Sequence, residues 1–153
     1  LLALTSGGRA VGASTDAATP GCPDVLLDGA HNPAGTAALA AAVDELRPLL
    51  SGGRPTLLIG LLRDKDIAGM LAPLRASRLL TDAHVITTTV PGTDRSLEAA
   101  ALAAAWGSGA DAVSDAGDAV AAAAAQALTS DGPLIACGSL YLVGHIRRQL
   151  LED

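Results

Sequence analysis

The 153-residue chain has no phenylalanine, one tryptophan (Trp106) and one tyrosine (Tyr141). Without aromatic platforms, stacking on bases or sugar rings is not an available binding strategy. The core must then be aliphatic. Two cysteines, Cys22 and Cys137, are too few for a disulfide scaffold or a cysteine zinc site. They read as reduced thiols in a cytoplasmic protein. No apolar run approaches the roughly twenty residues of a membrane span, and no signal peptide is apparent. Basic residues are also few: ten against sixteen acids, for a net charge of −6. The basic ones are scattered apart from Arg147-Arg148, which falls late in a predicted helix, where a cation suits the helix dipole. A nucleic acid or an anionic membrane as partner would call for clustered Lys and Arg, so neither is expected.

What remains is ordinary globular composition, 50% hydrophobic and 17% charged, at a length that suits one domain. Residues 1–22, "LLALTSGGRAVGASTDAATPGC", are rich in small residues without a clean period. They read as a linker or lead-in segment holding at most one edge strand. From residue 23 to residue 153 the pattern is regular. Short apolar runs recur at 24–28, 55–62, 84–89, 110–115 and 133–138. Each is followed by a segment of helical spacing: Pro33 to about Leu50, about Asp66 to Leu74, about Leu97 to Trp106, the alanine-rich "AGDAVAAAAAQALTS", and "SLYLVGHIRRQLLE". Five strand–helix alternations predict an α/β domain with a mostly parallel, helix-covered, Rossmann-like sheet. The strand order is left open.

In open α/β sheets ligands bind beyond the carboxyl ends of the strands, which directs attention to four loops. The first is Asp28-Gly29-Ala30-His31-Asn32-Pro33. Gly29 suits the turn, Asn32 is a favoured N-cap and Pro33 fits the first helical position. Asp28 and His31 are the surplus, and an acid beside a histidine can orient an imidazole or share a metal-bound water. The last loop, Gly138-Ser139, runs into a helix with Ser139 at its N-cap, and free N–H groups at such a start suit carboxylate or phosphate. Between them lie Arg63-Asp64-Lys65-Asp66 and Pro91–Ser96, where Ser96 reads as an N-cap and Arg95 as a surface charge or an anion contact. The opposite rim carries looser polar loops such as Ser51-Gly52-Gly53-Arg54. Neither a G-x-x-x-x-G-K-[ST] loop nor a G-x-G-x-x-G after a strand is present, so nothing here grips a nucleotide alone.

"LLDGAHNPAG", "GLLRDKDIAGML" and "ACGSLYLVGHIR", in that order, resemble the C-terminal domain of folylpolyglutamate synthase/dihydrofolate synthase, in the Mur-ligase superfamily. The likeness spans roughly residues 23 to 150. Muramyl-peptide ligases carry related but different words at the first corner and are the alternative, as is a stand-alone module binding a small anion. The resemblance implies ATP-dependent amide formation in folate and one-carbon metabolism: a folate or pteroate carboxylate is phosphorylated, and the amine of L-glutamate attacks the acyl phosphate. It implies that ATP and Mg²⁺ are held mainly by an N-terminal ATPase domain absent from this chain, that this domain closes over them, and that the protein is a cytoplasmic monomer. No metal ligand is expected within this chain. Asp28 would face ATP, and His31 and Ser139 would hold glutamate or the reacting centre, with His31 the catalytic candidate. Arg9 in "TSGGRAVG" stands for a family arginine on the ATP phosphates, although Gly8 replaces a proline and Ala10-Val11 replace Leu-Glu. His145 stands where the family pattern usually has glutamate.

Overall fold

The computed structural model describes residues 2–4, 10–12 and 23–151. Arg9 and Cys22 lie outside the described residues. A seven-stranded sheet is formed by β1 (Leu2–Leu4), β2 (Ala10–Gly12), β3 (Asp24–Leu27), β4 (Thr56–Ile59), β5 (His84–Thr87), β6 (Ala110–Ala112) and β7 (Leu134–Cys137). The helices are α1 (Pro33–Leu46), followed by a short 3₁₀ turn, Arg47–Leu49, then α2 (Ile67–Ala76), α3 (Ala99–Trp106), α4 (Ala116–Ser130) and α5 (Leu140–Leu151). The strand order is β2-β1-β3-β7-β4-β5-β6. The five strands expected from the apolar runs are mutually parallel. Where one edge strand at most was expected before residue 23, two are found: β1 and β2 pair antiparallel, and β1 pairs antiparallel with β3. The composition of that segment had masked them: three-residue strands carry too few positions to show a period of two.

Strand alternation sorts the core into two layers. Leu57, Ile59, Val85, Ile135 and Cys137 pack with Leu39 and Val43 of α1, Met70 and Leu74 of α2, and Leu102 and Trp106 of α3. The residues between them, Leu58, Ile86, Leu134 and Ala136, pack with α4 and with Leu142, Ile146 and Leu150 of α5. Both faces are covered, which is why the strands read as continuous apolar runs. Five alanines of α4 (116, 119, 123, 124 and 127) are buried, so small side chains let this helix lie close on the sheet.

The connections explain the order. β3–α1–β4, β4–α2–β5 and β5–α3–β6 step one way with their helices on the first face. The return from β6 to β7 runs backward, and a right-handed crossover in that direction puts its helix on the second face, where α4 lies. β7 thus enters between β3 and β4. Its own helix, α5, leaves on the face opposite to α1.

The amino-terminal rim differs from expectation. Ser51–Arg54 is not a loose loop. Ser51 donates its N–H to Asp24 Oδ2 (2.9 Å) and accepts the Asp24 N–H on Oγ (3.0 Å). A Cβ on Gly53 would fall 1.9 Å from the Ser130 carbonyl oxygen, and one on Gly132 would fall 1.9 Å from that of Arg54. Backbone touches backbone there.

Asp44 of α1 staples the turn after α2, accepting from Ser77 Oγ (2.7 Å), Leu79 N (2.9 Å) and Arg78 N (3.1 Å). Burial pushes its pKa up, but the bonds from Leu79, Ser77 and Arg78, with the Arg78 charge, outweigh that and hold it below 3.8. A depressed folded-state pKa contributes stability above the unfolded value that is lost as pH falls through the folded one. Asp44→Asn should therefore lose less Tm than the parent between about pH 5 and about pH 3. Thermal unfolding followed by circular dichroism across that window checks it.

Candidate active site

The switch between β3 and β7 brings the first and last loops together. Asp28 continues the ladder, its N–H donating to the Ala136 carbonyl (3.0 Å), and is half-buried at the end of β3. Its Oδ1 accepts the Ala30 N–H (2.8 Å). This local bond turns the chain toward α1. Asn32 caps that helix through Oδ1 to the Gly35 N–H (2.8 Å), with Pro33 at its start, as its residue types predict.

His31 is exposed at the apex. Its Nδ1 lies 2.9 Å from the Gly29 carbonyl oxygen. A carbonyl only accepts, so Nδ1 carries a proton, which in the neutral form of the ring leaves Nε2 as the acceptor. The imidazole is thus oriented by its own turn and not by the Asp28 carboxylate.

Ser139 lies at the start of α5, 2% exposed. Its Oγ accepts the Tyr141 N–H (3.2 Å) and its carbonyl accepts the Val143 N–H (3.0 Å). The expected capping role is met, and it uses the hydroxyl as an acceptor only, leaving its O–H as a donor. The next two side chains are the ones that reach outward, Leu140 at 66% and Tyr141 at 51% exposure. Sequence reading passed over them. The signal was available: apolar residues at the first two positions of a helix that starts on the ligand rim. Leu140 also joins the two loops, since a Cβ on Gly29 would fall 2.4 Å from its Cδ2. Beside them a groove of about 320 Å³ is lined by Pro91, Gly92, Leu140, Tyr141, Gly144 and Arg148.

Gly138 makes the second loop possible. Its φ is +114°, and a Cβ there would meet the Gly60 carbonyl oxygen at 2.2 Å. Cys137 is buried beneath the site. Burial chiefly, and the nearby Asp28 charge, push its thiol up to about 12. It should therefore resist iodoacetamide at neutral pH and be alkylated only in denaturant, read by mass spectrometry of the peptide. Modification in the folded protein would show that β7 opens.

The middle loops are held differently. Arg95 pairs with Asp64 (3.1 Å), both half-exposed, and Arg63 donates to the Asp94 carbonyl. Asp66 caps α2 through the Gly69 N–H (2.9 Å). Ser96 is not an N-cap: α3 starts two residues later than read, behind Glu98. The Ser96 hydroxyl instead accepts the Val90 N–H (2.7 Å) and donates to the Leu97 carbonyl (2.9 Å). It ties the loop down. On α5, His145 is half-buried, and its Nε2 meets no hydrogen-bond partner among the described residues.

A family model described as dihydrofolate synthetase, C-terminal domain, matches residues 15–149. The chain belongs to this family. Among curated relatives of this C-terminal domain, folylpolyglutamate synthase of Lacticaseibacillus casei is 36% identical over 84% of the chain and 27% of its own length. Dihydrofolate synthase/folylpolyglutamate synthase of Escherichia coli K12 is 36% identical over 81% and 27%. The chain thus spans about a quarter of these relatives. In structure it is similar to Escherichia coli FolC in complex with DHPP and ADP (TM-score 0.66, 28% identity, 86% of this chain and 29% of that one). It is likewise similar to Mycobacterium tuberculosis folylpolyglutamate synthase complexed with ADP and AMPPCP (TM-score 0.65, 27% identity, 84% and 30%). The α/β architecture expected from the strand–helix alternation is the one found. Among the described residues no helix is long and apolar enough to cross a membrane.

Proposed function

We propose that this chain is the closing half of the active site of an ATP-dependent ligase that joins L-glutamate to dihydropteroate, a folate or both. The observation that carries the reading is the meeting of two helix starts at one switch point. Asp28 and His31 stand on one and Ser139 and Leu140 on the other, in a chain of the dihydrofolate synthetase family. A relative nearly three times its length has a solved structure complexed with ADP and AMPPCP. The remainder of such a protein, an N-terminal ATPase domain, is the partner, and the exposed Leu140 and Tyr141 are suited to meet it. A cytoplasmic monomer is the expected setting.

The reaction needs a carboxylate made electrophilic and an amine made nucleophilic. The folate carboxylate attacks the γ-phosphorus of ATP, giving an acyl phosphate and ADP. The glutamate amine then attacks the acyl carbon, an amide forms, phosphate leaves and the amine gives up a proton. Nε2 of His31, held outward as an acceptor, takes a hydrogen bond from that amine and can receive the proton. The N–H groups that begin α1 and α5 favour the glutamate carboxylates or the nucleotide phosphates. Ser139 serves by fixing where α5 begins. Asp28 faces the nucleotide side, and Arg9 belongs with the phosphates on its sequence context.

Magnesium is a different matter. Among the described residues no three His, Cys, Asp or Glu side chains gather where a cation could sit. On this reading the magnesium belongs with the N-terminal ATPase domain. Positioning and closure are this domain's contribution.

The test is an assay of ATP- and L-glutamate-dependent folate extension. The isolated chain should form no product, and the same chain joined to its ATPase domain should turn over. Turnover by the isolated chain would overturn the reading.

A further inference from the structure

A cavity of about 530 Å³ lies on the amino-terminal rim, across the sheet from the ligase corner. Three of the chain's ten basic residues line it: Arg47 from the turn after α1, Arg54 from the loop before β4 and Arg78 from the turn after α2. Two acids share the wall. Asp44 spends its carboxylate on Ser77, Arg78 and Leu79, as described above, and Asp82 offers its backbone carbonyl to Arg54 Nε (2.7 Å). Three guanidiniums against two carboxylates leave a net positive site in a chain of net charge −6.

Each guanidinium is anchored lightly. Arg54 uses Nε; Arg47 reaches the Gly52 carbonyl at 3.5 Å; Arg78 stands 89% exposed, with Nε 4.0 Å from Asp44. Every one retains further N–H donors of its planar fork. The backbone beneath them is fixed on three sides, by Asp44, by the Asp24–Ser51 pair and by the Gly53–Gly132 contact, so little ordering is needed on binding. Pro48, Pro55 and Leu79 supply an apolar wall. The volume lies in the range of small-molecule pockets and far exceeds that of a bare ion.

We propose that this pocket is a second binding site, for a small organic anion whose carboxylate or phosphate heads are taken by Arg47, Arg54 and Arg78. Guanidinium forks match both heads, and the apolar wall takes the body of the molecule. The site lies on the rim away from Asp28, His31 and Ser139, so an occupant would not compete for the ligase corner.

The experiment is a titration of the ¹⁵N-labelled 153-residue chain with succinate, glycerol 3-phosphate and inorganic phosphate, followed at the amides of Gly52, Gly53 and Leu79. Saturable shifts are expected with at least one organic dianion, and they should weaken with added salt. Whichever of succinate and glycerol 3-phosphate binds more tightly identifies the head group. Affinity should fall about tenfold or more in Arg78→Ala and in Arg54→Ala and stay unchanged in Asp28→Ala. The exposed Arg78 side chain makes its variant safe for the fold should Arg54→Ala not be. Absence of saturable shifts with all three probes, binding of inorganic phosphate alone, or equal affinity in Arg78→Ala would overturn the proposal.

Discussion

In the full-length ligase, Asp28→Ala and His31→Ala should each lower ATP- and glutamate-dependent folate extension by about a hundredfold or more, the scale of losing a positioned acid–base or charge-orienting group. Neither substitution should unfold the protein. His31 is exposed and bonds only within its own turn. Asp28 turns the chain through one backbone N–H, whose loss costs about 1 kcal/mol. The two should differ in kind. His31→Ala removes the outward acceptor from the glutamate side and should act on turnover and on the KM for glutamate. Asp28→Asn keeps an oxygen for the Ala30 N–H but removes the charge, so it separates the turn from the chemistry. Retained activity in Asp28→Asn would reduce Asp28 to a turn former. Unchanged turnover in both alanine variants would leave the corner structural.

Gly138→Ala should be the most destabilising single change at this rim. The position carries φ of +114°, which an L residue adopts only under strain. The new methyl would meet the Gly60 carbonyl oxygen at 2.2 Å and Leu61 Cδ2 at 2.7 Å. The leucine side chain can swing aside. The carbonyl belongs to the backbone leaving β4 and cannot yield without pulling β4 from β7. Strain and overpacking together should cost about 3 kcal/mol, which for a chain of this size lowers Tm by roughly 6 to 12 °C. Thermal unfolding against Gly52→Ala, whose added Cβ meets nothing within 4 Å, is the control. An equal Tm for both variants would show that the β4–β7 approach is not tight.

The elements from residue 23 onward were legible because their causes are local. A buried parallel strand needs a short apolar run, and Asn32, Asp66 and Asp115 announce their helices by side-chain caps. Ser96 shows where local logic fails. Its residue type suits a cap, but Val90, six residues back in chain and beside it in space, claims the hydroxyl. The strand order was not legible, since nothing in β7 itself says that it enters between β3 and β4. That insertion is what joins Asp28 and His31 to Ser139. Gly29 reads as a turn glycine; its contact with Leu140 depends on two helices starting side by side. The pinned loop at Ser51–Arg54 was missed for the same reason, because its partners, Asp24 and Ser130–Gly132, are remote in sequence.

On the proposed function, the Asp28–His31 and Ser139–Leu140 loops form one half of a ligase site that another domain completes. Hydrogen exchange of the full-length enzyme, with and without a non-hydrolysable ATP analogue plus L-glutamate, tests it most directly. Slower exchange is predicted in residues 28–33 and 138–141, with no change at the far edge in residues 110–112. Ligand-independent exchange in both loops, in an enzyme that turns over, would contradict it.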